Sequence, residues 1–478
     1  MTKTWPPPAA AVPGQQLQEL HDALKPLADA RGAEIQLGSV NGVPRLEGRA
    51  AEWADVVDLG HACSDAWHRV GQAREVVVDL ASPELAELST GAPPPVPVLA
   101  PPRRAEVLVV GGGICGLVVA LKIAVLGNQV TVIDAGSSWG SRTTAWNNGM
   151  VHSGFDPKPG SRKAFHNVRG NWMWDRLADD LRVDLRRAGS VVVSLDEAAD
   201  QRVEEYLARA QANGVPRTEI VSGADLRGIE PRLSPGVKRA LLTPTTGFVE
   251  PVDVCRAAAR AVRSAGGQVL LGTAATSVAV EQGRVVGVDT PAGPIECSLL
   301  INAAGIHADL LAESAGARTF SLHPRRGTLV IVEDDPVDPY RLCVGPVPSP
   351  YTKGGGVTLR PSGTLSLGPS AVEQPGRDQV APTVEEVESI LEQSWRIYPD
   401  LDAAAVVAVG AQLRASSYGE DFVIGPVPGL VGFYNVAAMQ SPGVASIPSV
   451  AAKVAHDLLD LGAITTTTQQ IDNLWRKS

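Results

Sequence analysis

Apolar positions recur at helical spacing from the start of the chain. In QQLQELHDALKPLADA, residues 15–30, Leu17, Leu20, Leu24 and Leu27 share one face, which predicts an amphipathic helix. Pro26 lacks the N–H that the helix interior needs and is expected to kink or end it. The period then shortens to two. AEIQLGSVNGVPRLEGRA predicts two short strands joined at Asn41-Gly42, a strong hairpin dipeptide. EWADVVDLGHACSDAWHRV returns to helical period, and AREVVVDLA predicts a closing strand. The order is helix, strand, strand, helix, strand. His61 and His68 of the second helix are expected at a surface or boundary rather than as ligands. A proline-rich run, GAPPPVPVLAPP, follows from residue 91. Its fixed φ values predict a stiff, extended spacer that lets the N-terminal module sit away from the rest.

The pattern changes again at 105–136, AEVLVVGGGICGLVVALKIAVLGNQVTVIDAG. A buried strand runs into Gly111, a helix follows Gly116, and QVTVIDAG forms a second strand. This is the βαβ dinucleotide fingerprint. Gly111 permits the tight turn, Gly113 lets backbone approach a pyrophosphate, and Gly116 allows close helix–strand packing. Ile114 and Cys115 sit at the helix N-terminus, whose N–H groups can bind the diphosphate. Asp134, 18 residues past Gly116, is placed to hold ribose hydroxyls. A β-meander at 266–305 ends in the turn Asn302-Ala303-Ala304-Gly305, and a third block, 419–459, ends in a helix. Segments of mixed polarity lie between these blocks.

The predicted fold is α/β: a Rossmann-like dinucleotide-binding domain interrupted by an α+β substrate domain, with a small N-terminal α+β domain. The division is a module at 1–90, a linker at 91–104, nucleotide-binding segments at 105–155, 251–317 and 409–478, and substrate-domain segments at 156–250 and 318–408.

Charge narrows the function. The net charge of −10, with scattered basic residues, argues against nucleic acid and an anionic membrane surface. The five cysteines are far apart, so their spacing builds neither a zinc site nor an iron–sulfur centre, and no metal is expected. An odd count beside a nucleotide motif points to a reducing cytoplasm, with a peripheral place at the inner membrane face as the alternative. Neither a signal peptide nor a membrane span is expected.

The motifs taken together resemble a known family. The fingerprint, NNGMVHSGFDPKPGSRKA, LLTPTTGFVEPVDV, LLINAAGIHAD, HPRRGTLVIVE, SLGPSAVE and AMQSPGVASIPSVA follow in the order found in the flavin-dependent glycerol-3-phosphate dehydrogenase and oxidase group. L-2-hydroxyglutarate dehydrogenases are close relatives, all within the D-amino-acid-oxidase-like superfamily. The resemblance covers roughly residues 105–460 and implies FAD. It also implies a small anionic alcohol as substrate, and a quinone, a carrier protein or O2 as electron acceptor. An amine or amino acid is the nearest alternative substrate. A nicotinamide-dependent dehydrogenase and a non-catalytic flavin-binding scaffold subunit are the other readings. The sequence lacks the C-terminal cysteines with which some members hold an iron–sulfur cluster. Asp134 replaces a usual glutamate, and His307 stands where an aromatic residue is usual.

In that comparison His152 runs alongside the flavin as candidate base, with Asn147, Asn148 and Gly149 shaping its loop. Ser141, Arg142 and Thr144 are expected near the cofactor, as are Ala303 and Gly305. Ser441, Pro442 and Gly443 open the last helix, Ser441 as its N-cap, with backbone N–H groups toward the flavin. Arg414 is expected to face the substrate anion. Of Arg325 and Arg326 one reaches the site, and Arg326 is assigned that role. Over residues 15–83 the module resembles the BON domain, which suggests assembly into an oligomer or with a partner subunit.

Overall fold

The computed structural model describes residues 4–71, 73–86, 88, 102–334, 339–348 and 356–466. Most of the proline-rich linker, 89–101, lies outside them. The N-terminal elements follow the order expected from their periodicity: Gly14–Ala30 helix, Glu34–Val40 and Val43–Arg49 strands, Trp53–Arg69 helix, Val77–Ala81 strand. Asn41 and Gly42 both have positive φ, 48° and 78°, as a type I′ hairpin requires. Pro26 does not end its helix, which runs on to Ala30. It sits on the exposed face of the helix.

In the body, strands Gln268–Leu270, Val130–Ile133, Arg104–Val110, Ile295–Asn302 and Phe433–Ala437 pair in parallel in that order. Helices Ile114–Ala124, Arg162–Leu181, Pro251–Ser264 and Gly443–Asp460 pack with them around a core that includes Leu117, Trp174, Val254 and Ile447. Burial at about 25 cal/mol per Å2 of apolar surface is what holds these layers together. Gly116 lets the first helix lie against its strand: a Cβ there would stand 1.9 Å from the Gly111 carbonyl oxygen.

Both intervening segments contribute to one nine-stranded sheet, with strands from Ser190–Ser194 and Arg239–Thr243 on one side and Leu322–Glu333 with Ala405–Ser417 on the other. The last of these strands crosses the boundary expected at 408/409. Among the described residues, no helix is long and apolar enough to cross a membrane. All five cysteines are free thiols.

The module does not sit away from the body, contrary to what its proline spacer suggested. Ser321 joins its closing strand, donating from its N–H to the Val76 carbonyl at 3.1 Å while its Oγ accepts from Val78 N–H at 2.9 Å. Arg318 pairs with Asp79 at 2.9 Å and Arg162 with Glu75 at 2.6 Å. Tyr418 of the body is buried in the module's own core. Backbone pairing, two ion pairs and the burial of Tyr418 hold the module against the body.

Candidate functional site

The fingerprint folds into the turn its glycines permit. Gly111 has φ of 118°, and a Cβ there would lie 2.1 Å from the Ala303 carbonyl oxygen, so the turn and the loop after Asn302 touch through backbone. Asp134 braces the turn: its carboxylate accepts from Gly112 N–H and Gly136 N–H, each at 2.6 Å. Thr144 Oγ1 accepts from Ile114 N–H at 3.3 Å at the head of the helix. The helix terminus leaves further N–H groups for an anion.

From this turn a cavity of about 740 Å3 runs through the molecule. At one end Gly111, Gly113, Ile114, Cys115 and Asp134 line it, with Ser141, Arg142 and Thr144 on the following loop. Further along it meets Asn148 and His152, the Ala303 to Gly305 turn, and Ser441 to Gly443. His152 is buried, and its carbonyl accepts from Asn167 at 2.6 Å and Asn171 at 3.0 Å, two amides of the helix Arg162–Leu181 that fix the loop. Burial pushes the Cys115 thiol up to about 12, so it is neutral in the cavity wall. Burial and then the charges of Arg142 and Arg377 lower the His307 pKa; its Nε2 lies 3.3 Å from Arg142.

Two expected placements change, Ser441 and Arg326, while Gly116 keeps the close packing read from its spacing. Gly116 and Gly149 do not line the cavity; they act through close packing, a Cβ on Gly149 standing 1.9 Å from the Val249 carbonyl oxygen. Ser441 is not an N-cap: the helix begins at Gly443, is preceded by Pro442, and has no side-chain cap. Arg326 points away from the cavity, paired with Glu386 at 2.9 Å and hydrogen-bonded to Gln374 at 3.0 Å. Strand alternation puts Arg325, its neighbour, on the cavity side instead.

Arg325 is 1% exposed and held by two carboxylates, Glu373 and Glu420, the latter at 2.7 Å. Glu420 also lies 3.5 Å from Lys163 and accepts from Gln440 at 2.7 Å. Burial alone would raise the Glu420 pKa; the charges of Lys163 and Arg325 hold it well below the carboxylate range. Lys163, Glu420 and Gln440 all reach the cavity; Lys163 and Gln440 lie within the GSRKA and AMQSPG motifs, but none of the three is singled out in the sequence reading.

Arg414 faces Arg325 across the strand pair. Gly327 makes the space, since a Cβ there would stand 2.8 Å from Arg414 Nη2. That Nη2 donates to the Ser370 carbonyl at 2.8 Å, while Nη1 is buried with no hydrogen-bond partner among the described residues. Burial, then the neighbouring charge of Arg325, pushes its pKa down to about 10, so it remains a cation at neutral pH. A half-buried cation whose Nη1 is buried without a partner at a cavity wall calls for an anion.

His61, His323 and Glu420 bring three ligand-type atoms within 4.8 Å of one another. Glu420 is already committed to Arg325 and Lys163, so this cluster is an ion-pair network rather than a cation site.

Residues 106–457 match the protein family described as FAD dependent oxidoreductase. The chain is 27% identical to a glycerol 3-phosphate dehydrogenase of Caloramator mitchellensis over 358 residues, 74% of each chain. It is 29% identical to an L-2-hydroxyglutarate dehydrogenase of Indibacter alkaliphilus over 273 residues, 56% of this chain and 68% of that one. The structure of L-alpha-glycerophosphate oxidase from Mycoplasma pneumoniae with FAD bound is similar at a TM-score of 0.70 and 24% identity, covering 76% of this chain and 97% of that chain. The family match leaves the N-terminal module outside it.

Proposed function

Because the chain belongs to the family of FAD-dependent oxidoreductases, we propose that it oxidises a small anionic alcohol, glycerol-3-phosphate-like or a 2-hydroxy acid, by hydride transfer to flavin N5. The residues fit the cofactor. The cavity of about 740 Å3 lies within the range of roughly 300–1,000 Å3 usual for ligand sites. Its fingerprint end offers bare backbone at Gly113, where a Cβ would come within 3.3 Å of Thr144 Oγ1. Asp134 stands there to accept from ribose hydroxyls.

The flavin supplies the hydride acceptor, and the chain supplies position, charge and the base. Arg414 carries the reading, because its buried Nη1 lacks a partner until an anionic group of the substrate arrives. Arg325 adds a second guanidinium at the same wall. His152 takes the hydroxyl proton as the C–H bond gives up its hydride, leaving a carbonyl product. The alcohol is favoured over the amine by likeness to the glycerol 3-phosphate dehydrogenase across 74% of the chain. Electrons then leave to a quinone, a carrier protein or oxygen.

Anaerobic titration tests this. The flavin band of the holoenzyme should bleach with glycerol 3-phosphate or L-2-hydroxyglutarate and not with glycerol or glycine. Bleaching by an amino acid alone, or by none of a wider panel of small phosphates and hydroxy acids, overturns the reading.

A further inference from the structure

The module's second helix reaches the rear of the pocket. At Gly60 it approaches Tyr418 so closely that a Cβ would stand 2.3 Å from the ring. The next residue, His61, donates from Nδ1 to the Tyr418 carbonyl at 2.7 Å, which turns Nε2 to within 3.9 Å of Glu420 Oε1. Its ring meets the His323 ring edge-on, centroids 5.2 Å apart at 89°, and His323 is stacked on Tyr418 at 4.6 Å. His323 is fully buried and donates to Glu373 at 2.7 Å. Glu373 and Glu420 are the two carboxylates that grip Arg325. One imidazole from the module therefore stands beside one arm of the clamp, Glu420, and meets the other, Glu373, through the His323 ring.

We propose that His61 is a positioning residue for Arg325, and that the N-terminal module backs the carboxylate clamp from outside the pocket. The inference rests on the reading that this pocket binds an anion at its arginines. Its physical basis is desolvation. Arg325 holds one orientation because Glu373 and Glu420 are packed on the far side by His323 and His61, with Lys163 and Gln440 fixing the rest of Glu420. Removing the imidazole opens space beside Glu420 and against the His323 ring that holds Glu373. Water entering there raises the local dielectric and loosens the pairs, since charge interactions weaken roughly in proportion to it. The guanidinium then gives up part of its preorganisation toward the anion. His61 does not reach the cavity itself, so the chemical step should be spared.

The test uses the full-length holoenzyme and its His61→Ala and His61→Asn variants, the second keeping an N–H for the Tyr418 carbonyl. Binding of inorganic phosphate is read from perturbation of the flavin band, and stopped-flow reduction is measured with whichever panel substrate bleaches the wild type. His61→Ala should weaken phosphate and raise the half-saturating substrate concentration by about 5- to 30-fold, with the limiting reduction rate within about threefold of wild type. His61→Asn should recover part of the affinity. FAD content and Tm should stay near wild type in both. An unchanged phosphate affinity in His61→Ala overturns the inference, and so does an equal loss of affinity and limiting rate, the mark of general misfolding. Arg414→Met in the same series separates the two readings. If it keeps wild-type phosphate affinity, the anion site itself is wrong; if it loses phosphate while His61→Ala does not, only the positioning role fails.

Discussion

Adjacent arginines on one strand meet different fates, and each fate predicts a phenotype. Arg326 lies in a pair with Glu386, both side chains largely buried and clear of the cavity. Arg326→Met should leave substrate affinity unchanged and destabilise the fold by roughly 3–5 kcal/mol, the cost of orphaning a buried partner; reduction kinetics and chemical denaturation check the two halves. Arg414→Met should instead weaken an anionic substrate by about 1.5–3 kcal/mol, the range for hydrogen bonds to charged groups, and spare a neutral analogue in equilibrium binding. His152→Ala should retain FAD and slow reduction by about 10²- to 10⁴-fold in stopped flow, as expected for loss of a base. At this scale the sequence spoke clearly where a residue type is dictated by backbone geometry, as at Gly111 and Gly113. It could not choose between Arg325 and Arg326. Alternation says that neighbours face opposite ways, but the inward face is set by Gly327 on the same strand making room for Arg414, which lies on the paired strand far away in the chain.

Elements were legible where periodicity was strong and local. The hairpin at Asn41-Gly42, the fingerprint strand and helix, and the last helix all formed as their patterns required. Pro26 misled because it was read without its place on the helix: two residues from Leu24, it falls opposite the apolar face and stays exposed. The docking face of the helix Trp53–Arg69 was invisible for a related reason: nothing in its own pattern marks Gly60 as the point of contact with a tyrosine some 350 residues on. The contact is tight enough to test. Gly60→Ala would set a Cβ 2.3 Å from the Tyr418 ring, and overpacking of this kind costs about 1–3 kcal/mol. The outcome expected is a lower Tm with the flavin still bound, measured by scanning calorimetry and the visible spectrum. Gly116→Ala should do the reverse of what its distance from the cavity suggests. The added methyl would strike the Gly111 carbonyl at 1.9 Å and distort the turn, so FAD should be lost on purification.

For the molecule as a whole, buried imidazoles set the response to acid. His166 is 2% exposed and hydrogen-bonded to Ser449 at 2.9 Å. Burial, and after it the charge of Lys453, lowers its pKa to about 4. His61 is lowered by burial and by His323, and His307 by burial and Arg142. A histidine lowered in this way binds fewer protons folded than unfolded between its folded value and the ordinary 6.5. Stability therefore rises with pH across that window, is complete above about 6.5, and is lost as pH falls toward 4. For His166 alone the loss approaches roughly 3 kcal/mol at about 1.4 kcal/mol per unit. The clamp carboxylates Glu373 and Glu420 are lowered, so their share persists to lower pH and goes only as pH falls below about 4.5. Glu230, raised by burial, works weakly the other way. The protein should accordingly lose Tm in two stages, the first between pH 6.5 and 4. Because His166 sits where the helix Arg162–Leu181 meets the final helix, His166→Gln should flatten that first stage while leaving the second in place. A Tm that stays level from pH 7 to 5, or a first stage of equal depth in the variant, would remove the buried imidazoles as its cause.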